Sequence, residues 1–264
     1  IKASFYLRKR KIMYPDIVVV SGCSKGFGKE LCIDLLEQNI SVLGFSRTKP
    51  DIKDINFVWW PLDISDLYIT EETIATLVKW INPGSKIGIV LSAATLGTFG
   101  GLLDSDLQDW ELIYKTNVLG NLAVLQGFLP YMINSKYGRI IFLAGGGSAY
   151  GYPLFSGYSL SKTAIVREVE NLSMELEGKG DFSTISLAPG AMETEMLEKV
   201  RAVGGEVRTV TQMTEPIEFV KEFFQSVNSK RLDGRFIHVR DNWKKYLDDN
   251  IPVENYKWLL RRTE

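Results

Sequence analysis

Short runs of β-branched and aliphatic residues recur along the chain, and between them lie stretches whose apolar positions are spaced three and four apart. The runs Ile17–Val20, Val42–Phe45, Phe57–Trp60, Ile87–Leu91, Arg139–Leu143, Thr184–Leu187 and Phe236–Val239 read as strands. Helical spacing is clear over Lys29–Gln38, with Leu31, Leu35 and Leu36 on one side, and over Glu71–Trp80, with Ile74, Leu77 and Val78. Alternation of this kind predicts an α/β fold: a doubly wound parallel sheet, Rossmann-like, with ligand at the carboxyl ends of the strands. No repeat or low-complexity linker interrupts it, so residues 13–264 are expected to form a single domain. The preceding IKASFYLRKRKI, residues 1–12, reads as an N-terminal arm or appended remnant, with Met13 as a natural start.

Composition narrows the class of partner. Lys and Arg number 31 against 32 Asp and Glu, interspersed along the chain, which leaves no broad field for nucleic acid or an anionic membrane and points to a small-molecule substrate. No apolar run approaches the roughly 20 residues of a membrane span. The two cysteines, Cys23 and Cys32, are too few for a disulfide framework and suit a reducing, cytoplasmic setting. With one histidine, His238, read as an ordinary strand residue, no histidine-based metal site is expected.

The first candidate site is the stretch IVVVSGCSKGFGKEL, where a strand runs into Gly22, Gly26 and Gly28 and then a helix. Glycines at such a turn let the backbone approach a pyrophosphate, and the amides and positive dipole end of the following helix hold its charge. Ser24, Lys25 and Phe27 lie within the same turn. The end of the second strand lacks the carboxylate that would bond an NAD ribose and carries Ser46 and Arg47 instead. Arg47, with Lys25 as a second cation, would pair with the extra phosphate of NADP, which is the expected cofactor, NAD being the alternative.

The second candidate site is Tyr158 and Lys162, four apart and therefore on one helix face. A neighbouring ammonium is expected to lower the phenol from its ordinary value near 10 and make it a usable acid and base.

The order and spacing of these motifs resemble the classical short-chain dehydrogenase/reductase family over about Ile17 to Val239. The resemblance implies hydride transfer between nicotinamide and a carbonyl/hydroxyl pair. It further implies Asp63 against the adenine, Ala93 in the turn after the fourth strand, Asn117 positioning a water in a proton relay, and Pro189 and Thr194 beside the nicotinamide. Homodimers or homotetramers follow from the same resemblance. One position departs from it. The family's serine, thirteen residues before the tyrosine, is here Gly145, followed by Gly146 and Gly147.

Three readings of that departure stand open: Ser148 or Ser156 supplies the hydroxyl, the glycine amides donate in its place, or the protein binds cofactor with little turnover. The triple glycine and the C-terminal segment are similar to a subgroup associated with bacterial surface-sugar synthesis, which implies a sugar or activated sugar as substrate. Tyr150, Tyr152, Phe155, Met192 and Trp243 are candidate walls, and Arg201, Arg240 and Lys244 candidate phosphate contacts. A sensor or partner protein, or an epimerase or dehydratase that retains its cofactor, is the alternative function.

Overall fold

The computed structural model describes residues 14–207, 210–248, 251–255 and 257–260, so the arm read over 1–12 and Met13 lie outside the described residues. Seven parallel strands form one sheet: β1 (Ile17–Ser21), β2 (Ser41–Ser46), β3 (Phe57–Pro61), β4 (Ile87–Leu91), β5 (Tyr137–Leu143), β6 (Asp181–Ala188) and β7 (Arg235–His238). Their order is β3-β2-β1-β4-β5-β6-β7, with the direction of winding reversing between β1 and β4.

Eight helices connect or flank the strands among the described residues: α1 (Gly26–Glu37), α2 (Leu67–Leu77), α3 (Leu107–Tyr114), α4 (Asn121–Asn134), α5 (Ser156–Glu175), α6 (Glu195–Ala202), α7 (Thr214–Gln225) and α8 (Lys244–Asp248). Successive side chains of a strand point to opposite faces, and the core divides accordingly. Val18 and Val20 pack with α1 and α7, through Leu31, Leu35, Phe219 and Phe223. Val19 faces the other layer, where Ile74, Val124, Phe128 and Ile165 come from α2, α4 and α5. Both faces are thus buried, which is why the strands appear in the sequence as apolar runs.

Two strands start two or more residues ahead of their apolar runs. β5 begins at Tyr137 and β6 at Asp181, and these residues pair with each other. The guanidinium of the fully buried Arg139 donates to the Asp181 carboxylate and carbonyl, each at 2.8 Å, so the charges that mask the strand ends in the sequence satisfy one another. Helix α2 starts at Leu67, ahead of the predicted Glu71, because the Asp66 carboxylate accepts the Ile69 amide at 3.1 Å and caps the first turn.

Candidate active site

A cleft of about 1340 Å³ opens at the carboxyl ends of the strands, and the β1–α1 turn forms one wall. Gly22 and Gly26 hold φ of 79° and 57°, a left-handed backbone that disfavours side chains. A Cβ on Gly28 would come within 2.3 Å of the Gly22 carbonyl oxygen, so the helix can start this close to the turn only with glycine there. No side chain caps α1 at Lys25, and no acidic residue occupies its first turn. Its leading amides, carried by cleft-lining Gly26, Phe27 and Gly28, are left for an anion. Ser24 lines the same wall, and Ala93, whose Cα would lie 2.8 Å from a Cβ on Gly22, lines the cleft beside it.

Below the turn, β1 and β4 are tied together through Ser21 and Asn121, which the sequence did not single out. The Ser21 hydroxyl donates to Asn121 at 2.7 Å and accepts the amides of Ser92 and Ala93 at 3.1 and 3.2 Å. Asn121 donates to the Ala93 carbonyl at 2.9 Å. The pairing spans 100 residues, and the one local hint is that Asn121 follows Asn117 by a helical turn.

Arg47 and Asp63 meet at the β2–β3 corner, guanidinium to carboxylate at 3.9 Å, with both side chains exposed to the cleft. Asp63 also accepts the Ser65 amide and hydroxyl at 3.0 and 2.7 Å, so it shapes its turn as well as lining the cleft. Lys25 departs from the expectation of a second free cation at this corner. Its ammonium is ion-paired with Glu195, at the start of α6 across the cleft.

Tyr158 and Lys162 both line the cleft from α5, together with Leu143, Gly145 and Gly147 from the end of β5 and the turn beyond it. The Lys162 ammonium is buried and donates to the Leu143 carbonyl at 2.7 Å. Burial holds it down to about 8. The expected lowering of the Tyr158 phenol is corrected: its pKa is pushed up to about 12, by desolvation first and by the neighbouring Tyr152 second.

Asn117 is buried in a π-helical segment, Lys115–Gly120, between α3 and α4. Its side chain accepts the Thr95 amide at 2.8 Å and donates to the Thr95 carbonyl and the Ser161 hydroxyl, each at 3.0 Å. The Ser161 hydroxyl in turn donates to the Tyr158 carbonyl at 2.6 Å. Ser161 lies between the predicted tyrosine and lysine, but its polar role gives no separate signal in the sequence.

The glycine at the serine position faces the phenol. A Cβ built on Gly145 lies 3.4 Å from the Tyr158 hydroxyl oxygen, and Gly145 has no left-handed φ to strain a side chain. Gly146 opens the short helical turn Gly146–Ser148, whose last amide donates to the Gly145 carbonyl at 2.9 Å. Neither Ser148, which is buried, nor Ser156, at the start of α5, lines the cleft, so a hydroxyl supplied by either is not what the geometry offers.

Tyr150, Tyr152, Met192, Pro189 and Thr194 do line it. Thr194 also caps α6, accepting the Leu197 amide at 3.4 Å. Phe155 and Trp243 are corrected to core residues: Phe155 stacks behind Tyr152 at 4.7 Å, and Trp243 packs edge-on against Phe219 at 4.6 Å. Of the three candidate phosphate contacts, only Arg240 lines the cleft; Arg201 is held by Glu193 and Lys244 by Glu218. His238, set aside in the sequence, lines it from the end of β7, where desolvation holds its pKa below the ordinary 6.5.

A glycine turn at the switch point of a parallel sheet, with a tyrosine and lysine on the facing helix, defines a dinucleotide-fold oxidoreductase. The family model for short chain dehydrogenase matches residues 16–204, and the chain belongs to that family. An uncharacterized oxidoreductase of Schizosaccharomyces pombe is 28% identical over 254 residues, covering 91% of this chain and 95% of its own. The NADPH-dependent pterin aldehyde reductase of Arabidopsis thaliana is 28% identical over 189 residues, covering 68% and 76%. A short chain dehydrogenase from Escherichia coli CFT073, solved with NADPH, superposes with a TM-score of 0.75 at 18% identity, covering 88% of this chain and all 100% of the other.

Proposed function

We propose that the protein transfers hydride between NADP, or less favourably NAD, and a carbonyl/hydroxyl pair, with Tyr158 exchanging the proton on oxygen. The observation that carries the reading is convergence: the uncapped α1 turn and the Tyr158–Lys162 face line one continuous cleft. The Arabidopsis and Escherichia coli relatives, described respectively as NADPH-dependent and NADPH-complexed, support the same cofactor.

In this reading Gly22, Ser24, Gly26, Phe27 and Gly28 hold the pyrophosphate, Arg47 the ribose phosphate, and Asp63 and Ala93 the adenosine side. Lys162, Pro189 and Thr194 hold the nicotinamide side. The nicotinamide supplies or accepts the hydride when bound. A phenol held at about 12 is protonated at neutral pH and carries the proton that a carbonyl oxygen takes up on reduction. With no side chain at Gly145, main-chain amides of the Gly145–Gly147 turn take over the hydrogen bond that a serine would give. Asn117 acts in this scheme by fixing Thr95 and, through Ser161, the Tyr158 turn.

Residues 13–264 are proposed as one domain. Homo-oligomers are supported by exposed Leu119, Tyr131, Leu160 and Met174 on and around α4 and α5. The free cysteines Cys23 and Cys32 support a reducing compartment such as the cytoplasm, and no described helix is long and apolar enough to cross a membrane.

The test is Tyr158→Phe. Turnover should fall by about 10²–10⁴-fold with NADPH affinity, read by fluorescence titration, unchanged. Wild-type turnover in the variant would refute the proton-transfer role.

A further inference from the structure

We infer that the substrate half of the cleft takes an uncharged carbonyl compound with an apolar body, an aryl or extended alkyl ketone or aldehyde, in preference to a polyhydroxylated or phosphorylated one. The inference rests on the hydride-transfer reading above and names the substrate class for that site.

The surroundings of the Tyr158 phenol carry it. Tyr158 packs with a cluster of its own, separate from the two sheet layers, built on buried Leu96, Phe155 and Val200 with Tyr152, Met196 and Val207 against them. All of these but Phe155 line the cleft. Phe155 backs the wall, stacked on Tyr152 with an interplanar angle of 18°, while Phe99 meets Phe155 edge-on at 5.3 Å. The Tyr152 hydroxyl donates to the Glu206 carbonyl at 2.9 Å, so the wall presents a flat ring whose polar tip is engaged elsewhere. An aromatic or aliphatic substituent placed here leaves water for apolar contact on several sides.

A sugar would meet the opposite economy of contacts. Each hydroxyl brought against Leu96, Met196, Val200 or Val207 would lose its water without gaining a partner. A phosphate fares no better in this half, where Glu193, Glu195, Glu206 and Asp241 line the cleft. Near this half, Lys25 is matched by Glu195 and Arg201 by Glu193, and Arg240 stands next to Asp241 while donating to the Val210 carbonyl. A substrate anion would have to displace Glu195 from Lys25, Glu193 from Arg201 or the Val210 carbonyl from Arg240.

Gly145 completes the picture. The space that a side chain would occupy 3.4 Å from the phenol oxygen is left open, so a carbonyl flanked by a bulky substituent can still bring its oxygen to Tyr158. In the reductive step the carbonyl carbon gains a hydride from the reduced nicotinamide and its oxygen gains the phenol proton. The C=O π bond breaks, the nicotinamide is left oxidised, and solvent returns a proton to Tyr158.

The experiment compares three methyl ketones on the NADPH-loaded protein: benzylacetone, which is apolar; 1-deoxyfructose, which is polyhydroxylated; and levulinate, which is anionic. Turnover is followed by NADPH oxidation, and binding by saturation-transfer NMR to the ketone protons. Benzylacetone should show kcat/KM at least about tenfold above the other two, with saturation reaching its phenyl protons. Met196→Glu, at the partly buried start of α6 where a carboxylate suits the helix, should cut both signals by about tenfold and leave NADPH affinity unchanged.

Equal or better turnover of deoxyfructose or levulinate would overturn the inference, as would phenyl protons that receive no saturation. Saturation without any NADPH oxidation would support the apolar pocket while counting against the hydride-transfer reading.

Discussion

The Lys162 ammonium lies 2.7 Å from the Leu143 carbonyl oxygen and 5.6 Å from the centre of the Tyr158 ring. One cation therefore anchors α5 to the end of β5 and stands beside the phenol, and its charge is maintained in a buried place.

That burial has a measurable signature. Lys162 titrates near 8 in the folded chain against an ordinary 10.5. Between those values the unfolded chain binds a proton that the folded chain does not, so stability rises with pH across the window. Below about pH 8 the buried charge costs roughly 3 kcal/mol. Urea midpoints taken from pH 8 to pH 10 should climb in the wild type and climb less in Lys162→Met; parallel curves would mean that Lys162 is not depressed. Above about pH 10 the raised Tyr158 acts in the opposite sense, because the unfolded chain then loses a phenol proton that the folded chain keeps.

Asn117→Leu removes three hydrogen bonds at once and leaves the Thr95 amide and carbonyl without their side-chain partner. About 1–3 kcal/mol of stability should be lost for each group orphaned, read as a fall in Tm. Asn117→Asp keeps an acceptor for the Thr95 amide but turns a buried carboxylate oxygen toward the Thr95 carbonyl, and should lose at least as much. A clearly smaller loss in Asn117→Asp would show that the Thr95 carbonyl contact contributes little.

Cofactor choice should follow Arg47. Arg47→Asp is expected to weaken NADPH binding and improve NADH binding, reversing their order of affinity in a fluorescence titration. Glu195→Gln, which releases Lys25 from its ion pair, should strengthen NADPH binding modestly, within about tenfold for so exposed a pair. An unchanged preference in Arg47→Asp would remove the 2′-phosphate role assigned to that side chain.

Gly145→Ser should fold normally, since its Cβ meets the Tyr158 hydroxyl at ordinary contact distance. The new hydroxyl would sit beside the phenol and add a donor for the substrate oxygen. Activity on small methyl ketones should rise, and activity on ketones with a ring attached directly to the carbonyl should fall. A gain on every ketone alike would show that the open position is not an accommodation of substrate bulk.

The strands were legible because burial on both faces writes them as apolar runs, and the glycine turn because few residues tolerate its backbone. Tyr158 and Lys162 were legible because their spacing is local. What stayed hidden depends on partners far along the chain. Lys25 reads as a free cation until Glu195, 170 residues later, is folded against it. The Tyr158 phenol reads as lowered by its lysine until the ring is packed beside Tyr152 and the apolar residues around it. Trp243 reads as a cleft wall because large aromatics suit clefts and cores equally, and only Phe219 decides between them. Beyond Tyr152, the apolar lining near Tyr158 was hidden for the same reason: Leu96, Met196 and Val207 come from separate segments with no common period.

The π-helical segment Lys115–Gly120 makes α3 and α4 one rod with a phase change in the middle. A π turn holds one residue more than an α turn, and one residue is worth about 100° of helical rotation. Ahead of the segment α3 packs on α5, and after it α4 packs on α2. Deleting a single residue from the segment would leave the composition of the rod nearly intact and swing one half relative to the other. Asn117 and Asn121 could then no longer both reach inward, and the turn after β4 and the helix carrying Tyr158 would lose their shared fastening together.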